Sequence, residues 1–427
     1  MKLPGHFKIL LSASLVLSLC LPAAVSGAAI HLESDTLLRV FERDSPTEED
    51  AAVAPLYEYL RADFGELDSR GLSFHLYGWG RADLGDGEFY ADDSAGELLY
   101  GYIEYLGPAA NFGLRLGRQY VFEGVADEAI DGLRLDGDLT PYFSVSAYGG
   151  QPVALDSENG RSGDSIWGGR LAHHLGTHYN VGLSYKSVDN DDEQAEESLG
   201  VDLSLALPMG IDLYGYSSRN LDTEGWGEHF YQLAIPVMDF HLRPYLEVFE
   251  YDHYFTEGAN SAQPFRFLAG TEEQLRVYGG DLLWFGAEDW DLGAKVKFYD
   301  YDLRGDSSRY YAGTATWRGE DLPEFGGEFG FMEGDDKAND YLLTRAYFYW
   351  DRPPQVLSSG FVTGDIVYVF YDEEIYGEDA SLFLSLGAGS RFLSDALEIR
   401  VSGDYSADPY LEEDLRGMVL AKYAFDR

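Results

Sequence analysis

The 427-residue chain carries 75 acidic and 30 basic side chains, a formal net charge of -45. Such a surface repels phosphate backbones, which excludes nucleic acid as a partner. Aromatic residues make up 15% of the chain, with 32 Tyr and 25 Phe beside 49 Gly. Past the first segment no apolar run is long enough for a membrane helix. That combination fits a barrel whose apolar residues are diluted one in two by polar ones.

The first element is a targeting segment. Lys2 and Lys8 precede an apolar run from Ile9 to about Val25, and the small residues Ser26, Gly27, Ala28 and Ala29 follow. The pattern predicts a secretory signal peptide over 1–28 and a mature chain over 29–427. Cys20, the single cysteine, lies inside this segment and follows Leu19, where a lipoprotein signal needs a small residue. The expectation is a mature chain without a disulfide, a thiolate metal site or a cysteine nucleophile. C-x-x-C-H is absent, so no c-type haem is held covalently, and no cofactor is expected. Few residues separate the signal from the first strand, so no built-in plug is expected.

Alternation of apolar and polar residues then recurs along the chain. "TLLRVFER" from Thr36 and "LYEYLRADFG" from Leu56 are the first two strand candidates. "GLSFHLYGWGRADL" sets Leu72, Phe74 and Leu76 against His75, Tyr77, Trp79 and Arg81. In "NFGLRLGRQYVFEGVADEAIDGLRLDG", Arg115 stands between Leu114 and Leu116, and Arg134 between Leu133 and Leu135. Successive strand side chains point to opposite faces, so the leucines face lipid and the arginines a watery interior. A hairpin over 111–137 about Glu123–Gly124 puts Arg115 opposite Arg134, and the turn "GPAA" at 107–110 sets Glu104 beside Arg115, relieving the repulsion between the arginines. Arg118 falls on the lipid parity, which is costly at mid-membrane; a bulge near Gly117 or a place near the outer head groups would remove the conflict.

Further along, His173, His174 and His178 flank "LGT". Neighbouring histidines of a strand point apart, so at most two converge, and interfacial polar residues are expected there rather than a metal site. The acid run "DNDDEQAEE" at 189–197 lacks the glycine and bidentate glutamate of an EF-hand. It reads as a solvated loop, with loose divalent-ion bridging to anionic lipids as the alternative. "LGVDLSLAL" aligns Leu199, Val201, Leu203, Leu205 and Leu207 against Asp202 and Ser204. "LGAKVKFYDY" aligns Leu292, Ala294, Val296 and Phe298 against Lys295, Lys297 and Tyr299. Period two over eight or more residues argues for half-buried strands, and no helix of useful length follows the signal.

Short turns read "GPAA", "LGT", "LPMG" at 207–210, "PVMD" at 236–239, "GAED" at 286–289 and "LSD" at 393–395. Between them fall longer polar stretches beginning at Asp86, Gly150, Ser187, Asp252, Glu333 and Asp372. Alternating short and long connections predict periplasmic turns and extracellular loops. The fold expected is all-β, a transmembrane antiparallel up-and-down barrel of about 20–22 strands in the outer membrane, with 22 favoured if the first two candidates both count.

"LGRQ" followed by "DGLRL" resembles hairpins of porins from Gram-negative bacteria, a class whose layout the mature chain resembles over nearly its whole length. "FERDSPTEEDAAVAPLYEYLRADFG" is similar to the start of barrel proteins from metal-reducing bacteria, some of which form the barrel of porin–cytochrome conduits. Such barrels usually end on an aromatic residue; this chain ends "LAKYAFDR", with Phe425 two residues short.

Lumen candidates are Glu104, Arg115, Arg134, Lys186, Asp202, Glu247, Lys295 and Lys297. They read either as a charged ladder that tunes which ions pass or as mutually satisfied wall residues. Neither G-x-S-x-G nor H-E-x-x-H occurs, and no enzyme is expected. Three functions stay open: a porin-like channel for small solutes or ions, a sheath around a multihaem cytochrome, and a soluble secreted β-rich binding protein. Outer-membrane lipids are partners in the first two.

Overall fold

The structure, a computed structural model, describes residues 29–43, 51–67, 70–85, 89–90, 92–153, 165–190, 193–254, 274–303, 305–319, 323–351 and 359–426. The expected signal over 1–28, with Cys20, and the centres of several polar stretches lie outside the described residues.

The chain is strand after strand. First come β1 (Ala29–Arg43), β2 (Ala51–Val53), β3 (Pro55–Gly65), β4 (Gly71–Asp83), β5 (Ser94–Leu106), β6 (Phe112–Glu123), β7 (Ala126–Thr140) and β8 (Phe143–Pro152). Next are β9 (Ser165–Leu175), β10 (Tyr179–Asn190), β11 (Glu193–Leu207), β12 (Ile211–Asn220), β13 (Gly225–Val237), β14 (Phe240–Glu250), β15 (Gln274–Ala287) and β16 (Trp290–Tyr301). The last are β17 (Asp306–Trp317), β18 (Glu324–Glu333), β19 (Tyr341–Asp351), β20 (Gly360–Ile375), β21 (Glu378–Phe392), β22 (Leu397–Asp408) and β23 (Leu411–Asp426). β2 and β3 hold one register against β1, from Arg43↔Ala51 through Leu38↔Leu56 to Ala29↔Gly65, so they form a single stave and the wall has 22. Both uncertain strand candidates are therefore strands.

All neighbours pair antiparallel, and β23 returns to β1 from His31↔Asp426 to Phe41↔Arg416, closing the sheet. Closure is what lets a sheet stand in lipid, where an open edge would leave backbone groups without partners. Leu72, Leu76, Leu116, Leu183 and Val401, all on the outer face, are 47, 48, 56, 49 and 54% exposed. No soluble surface carries apolar side chains in so continuous a band. It is a lipid-facing surface. Aromatic rings edge it near the short turns: His173 meets Phe143 edge-on at 4.5 Å and stacks on Tyr179 at 5.5 Å, and Phe325 lies 6.0 Å from Trp317 and 6.4 Å from Phe348. Such rings sit at the membrane–water boundary.

The six short turns read from the sequence lie at one end of the barrel. Ala110, Met209, Met238 and Asp395 take φ of 54°, 70°, 53° and 70° there, the left-handed geometry that matches strand twist in tight hairpins. At the other end two expected loops are shorter than their polarity implies. The acidic stretch from Asp372 continues β20 into β21 around Tyr376–Gly377, and the stretch from Ser187 continues β10 into β11. Beyond the lipid band both faces meet water, so strands persist there without apolar alternation.

Candidate functional site

Residues opposite each other share a face, and the inner face is lined with charge. Arg115 stands opposite both Glu104 and Arg134, as the hairpin geometry requires. Its Nε donates to Glu104 Oε1 at 2.6 Å, while Arg134 is held by Asp136 at 2.7 Å and Glu123 at 3.0 Å. The network extends sideways: Arg61 Nε donates to Asp63 at 2.8 Å, Asp63 meets His75 Nδ1 at 2.7 Å, and His75 Nε2 lies 3.7 Å from Glu104. Two adjacent arginines are thus each neutralised by carboxylates of their own.

The other candidates fall into separate groups. Asp202 on β11 is gripped by Arg170, which reaches over Gly182; a Cβ on that glycine would lie 2.4 Å from the guanidinium. Lys295 bonds Glu328 at 2.7 Å on the far wall. Lys297 and Glu247 face inward nearby, without a hydrogen-bond or ion-pair partner among the described residues. Lys186 is different: its side chain is 6% exposed, between Glu128 at 3.0 Å and Glu196 at 2.6 Å. A lining residue of a watery pore has no reason to be so dry.

The cover over Lys186 is the tip of the β6–β7 hairpin. β5 and β6 pair only from Leu106↔Gly113 up to Gly101↔Arg118, although β6 runs on to Glu123. Above Arg118 the hairpin leaves the wall and bends across the lumen. Val125 N donates to Ser184 Oγ on β10 at 3.1 Å. Cβ atoms built on Gly124 and Gly200 would meet Ser184 at 2.2 Å and Val125 at 2.4 Å, which shows how closely the tip is seated. Val121, Ala126 and Ile130 from the tip join Tyr148, Ile166 and Val188 from the inner wall in one cluster, each residue at most 6% exposed. Fully burying a valine or isoleucine side chain stabilises by about 1.5–3 kcal/mol, enough for Val121 and Ile130 to hold a hairpin against its own fraying.

Arg118 marks the departure point. It stays on the lipid parity, and the conflict is met by an ion pair: Asp131, directly opposite, accepts from its Nε and Nη2 at 2.8 and 2.9 Å. Its Nη1 donates to the Leu98 carbonyl at 3.0 Å, near where β5 loses its neighbour. Gly117 beside it takes a φ of 126°.

Sequence reasoning missed three features. The first is the docked tip. The second is the Asp63–His75 link. The third is a run of rings on the inner faces of β3, β4 and β5: Tyr57, Tyr59, Tyr77, Tyr100 and Tyr102. "YEY" at 57–59 and "YGY" at 100–102 were its signal, tyrosines at period two flanked by Leu56, Leu60, Leu99 and Ile103. The histidines also resolve: His173 meets Phe143 edge-on and stacks on Tyr179 in the outer rim, and His174 faces the interior.

The strand pairing and the lipid-facing exterior define a transmembrane β-barrel. Solved structures similar to the chain in fold include three outer-membrane proteins of Acinetobacter and Pseudomonas. Acinetobacter baumannii OccAB4 shares 9% identity at a TM-score of 0.48, over 95% of this chain and 100% of that one. A BenF-like porin from Pseudomonas fluorescens Pf-5 shares 10% at 0.48, over 94% and 99%. Pseudomonas aeruginosa OpdK with vanillate shares 12% at 0.45, over 94% and 99%. No protein-family model matches the chain, and no curated protein matches it.

Proposed function

We propose that the protein is an outer-membrane, porin-like channel for the passive passage of small solutes or ions. The observation that carries this reading is the docked hairpin: a wide barrel is narrowed by its own β6–β7 tip, over a wall of paired charges that water can reach. A tip stretched to Ser184 also takes luminal space that a cytochrome would need, which favours the channel over the sheath. The continuous apolar exterior favours both over a soluble binding protein. In this reading Glu104, Arg115, Arg134, Asp202, Glu247, Lys295 and Lys297 line the pore and set its ion preference, whereas Lys186 anchors the tip.

Orientation and passage are tested together. Asn190, exposed at the loop end, and Met209, 87% exposed at the turn end, are replaced by cysteine in separate variants. An impermeant thiol reagent on whole cells is expected to label the first and miss the second, and the purified barrel is expected to conduct in stepwise fashion in planar bilayers. Equal labelling would overturn the topology, and a folded barrel that never conducts would overturn the channel.

A further inference from the structure

The inner faces of β3, β4 and β5 carry an unbroken run of aromatic rings. Centroids lie 6.2 Å apart for Tyr57–Tyr59, 6.5 Å for Tyr59–Tyr77, 5.4 Å for Tyr77–Tyr100 and 5.7 Å for Tyr100–Tyr102. His75 stacks on Tyr102 at 4.8 Å and closes the lower end. Trp79 lies 6.1 Å from Tyr57 at the upper end. The tyrosines are half-buried rather than buried, so their surfaces face the lumen.

We infer that this strip is a binding track for neutral, polyhydroxylated rings, that is, for sugars; the inference rests on the channel reading and names its solute class. Two properties select the class. Ring faces in a row offer apolar contact to one side of a flat solute without asking for charge, and an aromatic face attracts the weakly positive C–H edges of a sugar ring. Toward the lower end of the strip the charged groups are matched: Arg61 with Asp63 at 2.8 Å, His75 with Asp63 at 2.7 Å, Arg115 with Glu104 at 2.6 Å; toward the upper end Arg39 and Arg81 lie against the rings of Phe41 and Tyr90. A matched ion pair presents donors and acceptors side by side, which suits vicinal hydroxyls. At the lower end it leaves no uncompensated positive charge for a carboxylate, and the chain's net charge of -45 opposes anions further. Each contact is weak, as passage requires: a solute must bind well enough to enter and loosely enough to leave.

The test is calorimetric titration of the folded, detergent-solubilised barrel with maltohexaose, a neutral glucose oligosaccharide, and separately with phenylacetate, an aromatic carboxylate. Maltohexaose is expected to bind, and phenylacetate is not. Tyr77→Ala and Tyr100→Ala are each expected to weaken sugar binding roughly threefold to tenfold, since one aromatic contact is lost in each. Tyr77→Phe, which keeps the ring, should bind like the unaltered protein, as should Tyr245→Ala on the opposite wall. No sugar binding to the folded barrel, equal binding by both alanine variants, or tighter binding of phenylacetate would overturn the track. Because the readout is binding, it is independent of conductance. A barrel that binds sugar but does not conduct would sink the channel reading alone; one that conducts and binds no sugar would sink the track alone.

Discussion

The β6–β7 hairpin is one piece of alternating sequence put to two uses. In its lower half, Leu114, Leu116, Leu133 and Leu135 meet lipid, and Arg115 and Arg134 meet the lumen. In its upper half the alternation continues without a break, yet the inner-parity residues Gln119, Val121 and Ile130 are at most 1% exposed, and Tyr120 and Phe122 on the other parity are 48 and 77% exposed. The backbone pattern is the same; what differs is where the sheet goes. Alternation states which side chains share a face, and only the path of the strand states what that face touches. Arg118, with Asp131 and the Leu98 carbonyl, stands at the boundary between the two halves.

The sharpest way to break the upper half without touching the lower is at Lys186. Lys186→Met leaves Glu128 and Glu196 facing each other in a dry site, a change that costs about 3–5 kcal/mol when a buried pair loses one partner. Most of that cost is relieved if the tip lifts off, so a cysteine placed at Ala126, 1% exposed, is expected to be shielded from water-soluble maleimide in the parent and labelled in Lys186→Met. Adding Glu128→Gln should restore part of the protection. Shielding that survives Lys186→Met would show that the apolar cluster alone holds the tip.

A smaller effect is expected at the boundary. Gly117 has a φ of 126°, and a Cβ there would lie 2.3 Å from the Gly101 carbonyl oxygen across the sheet. Gly117→Ala should destabilise the barrel by about 1–3 kcal/mol, the usual cost of forcing an L-residue into such backbone. Unfolding temperature by heat-shifted gel mobility checks this, and an unchanged temperature would mean that the strand re-registers there.

The mildest effect concerns charge. The arginines of the lower half are neutralised by Glu104, Glu123 and Asp136, so the inner ladder does not present the positive face that Arg115 and Arg134 alone would give. Acid excess over the whole chain then sets the sign. Reversal potentials are expected to show slight cation preference at low salt, fading at high salt as the Debye length shrinks from about 30 Å at 0.01 M to about 3 Å at 1 M. Anion preference at low salt would place the arginines in control despite their partners.

Much of this was legible in the sequence, because barrel strands and tight turns are local. Leucines about Arg115 and Arg134 specified two faces, and "GPAA" specified that Glu104 would stand beside Arg115. The docked tip was illegible for a physical reason: Val125 and Ser184 are 59 residues apart, and nothing in the alternation of either strand encodes the contact. Lys186 looked like a lumen residue because its parity is right; its dryness is imposed by a segment that arrives from elsewhere. The tyrosine strip was visible as period two at 57–59 and 100–102, but aromatic enrichment in a barrel is first attributed to the outer girdles.

In the proposed channel, the β6–β7 hairpin sets the width of the conducting path. Paired single-channel recordings of the parent and of Ile130→Asp test it most directly, because a carboxylate in the cluster around fully buried Ile130 should release the tip while leaving the lower wall intact. Discrete conductance steps are expected from the parent and larger steps from Ile130→Asp, in a variant that still migrates as a folded barrel. Steps of equal size in the two proteins, or none from either, would contradict it.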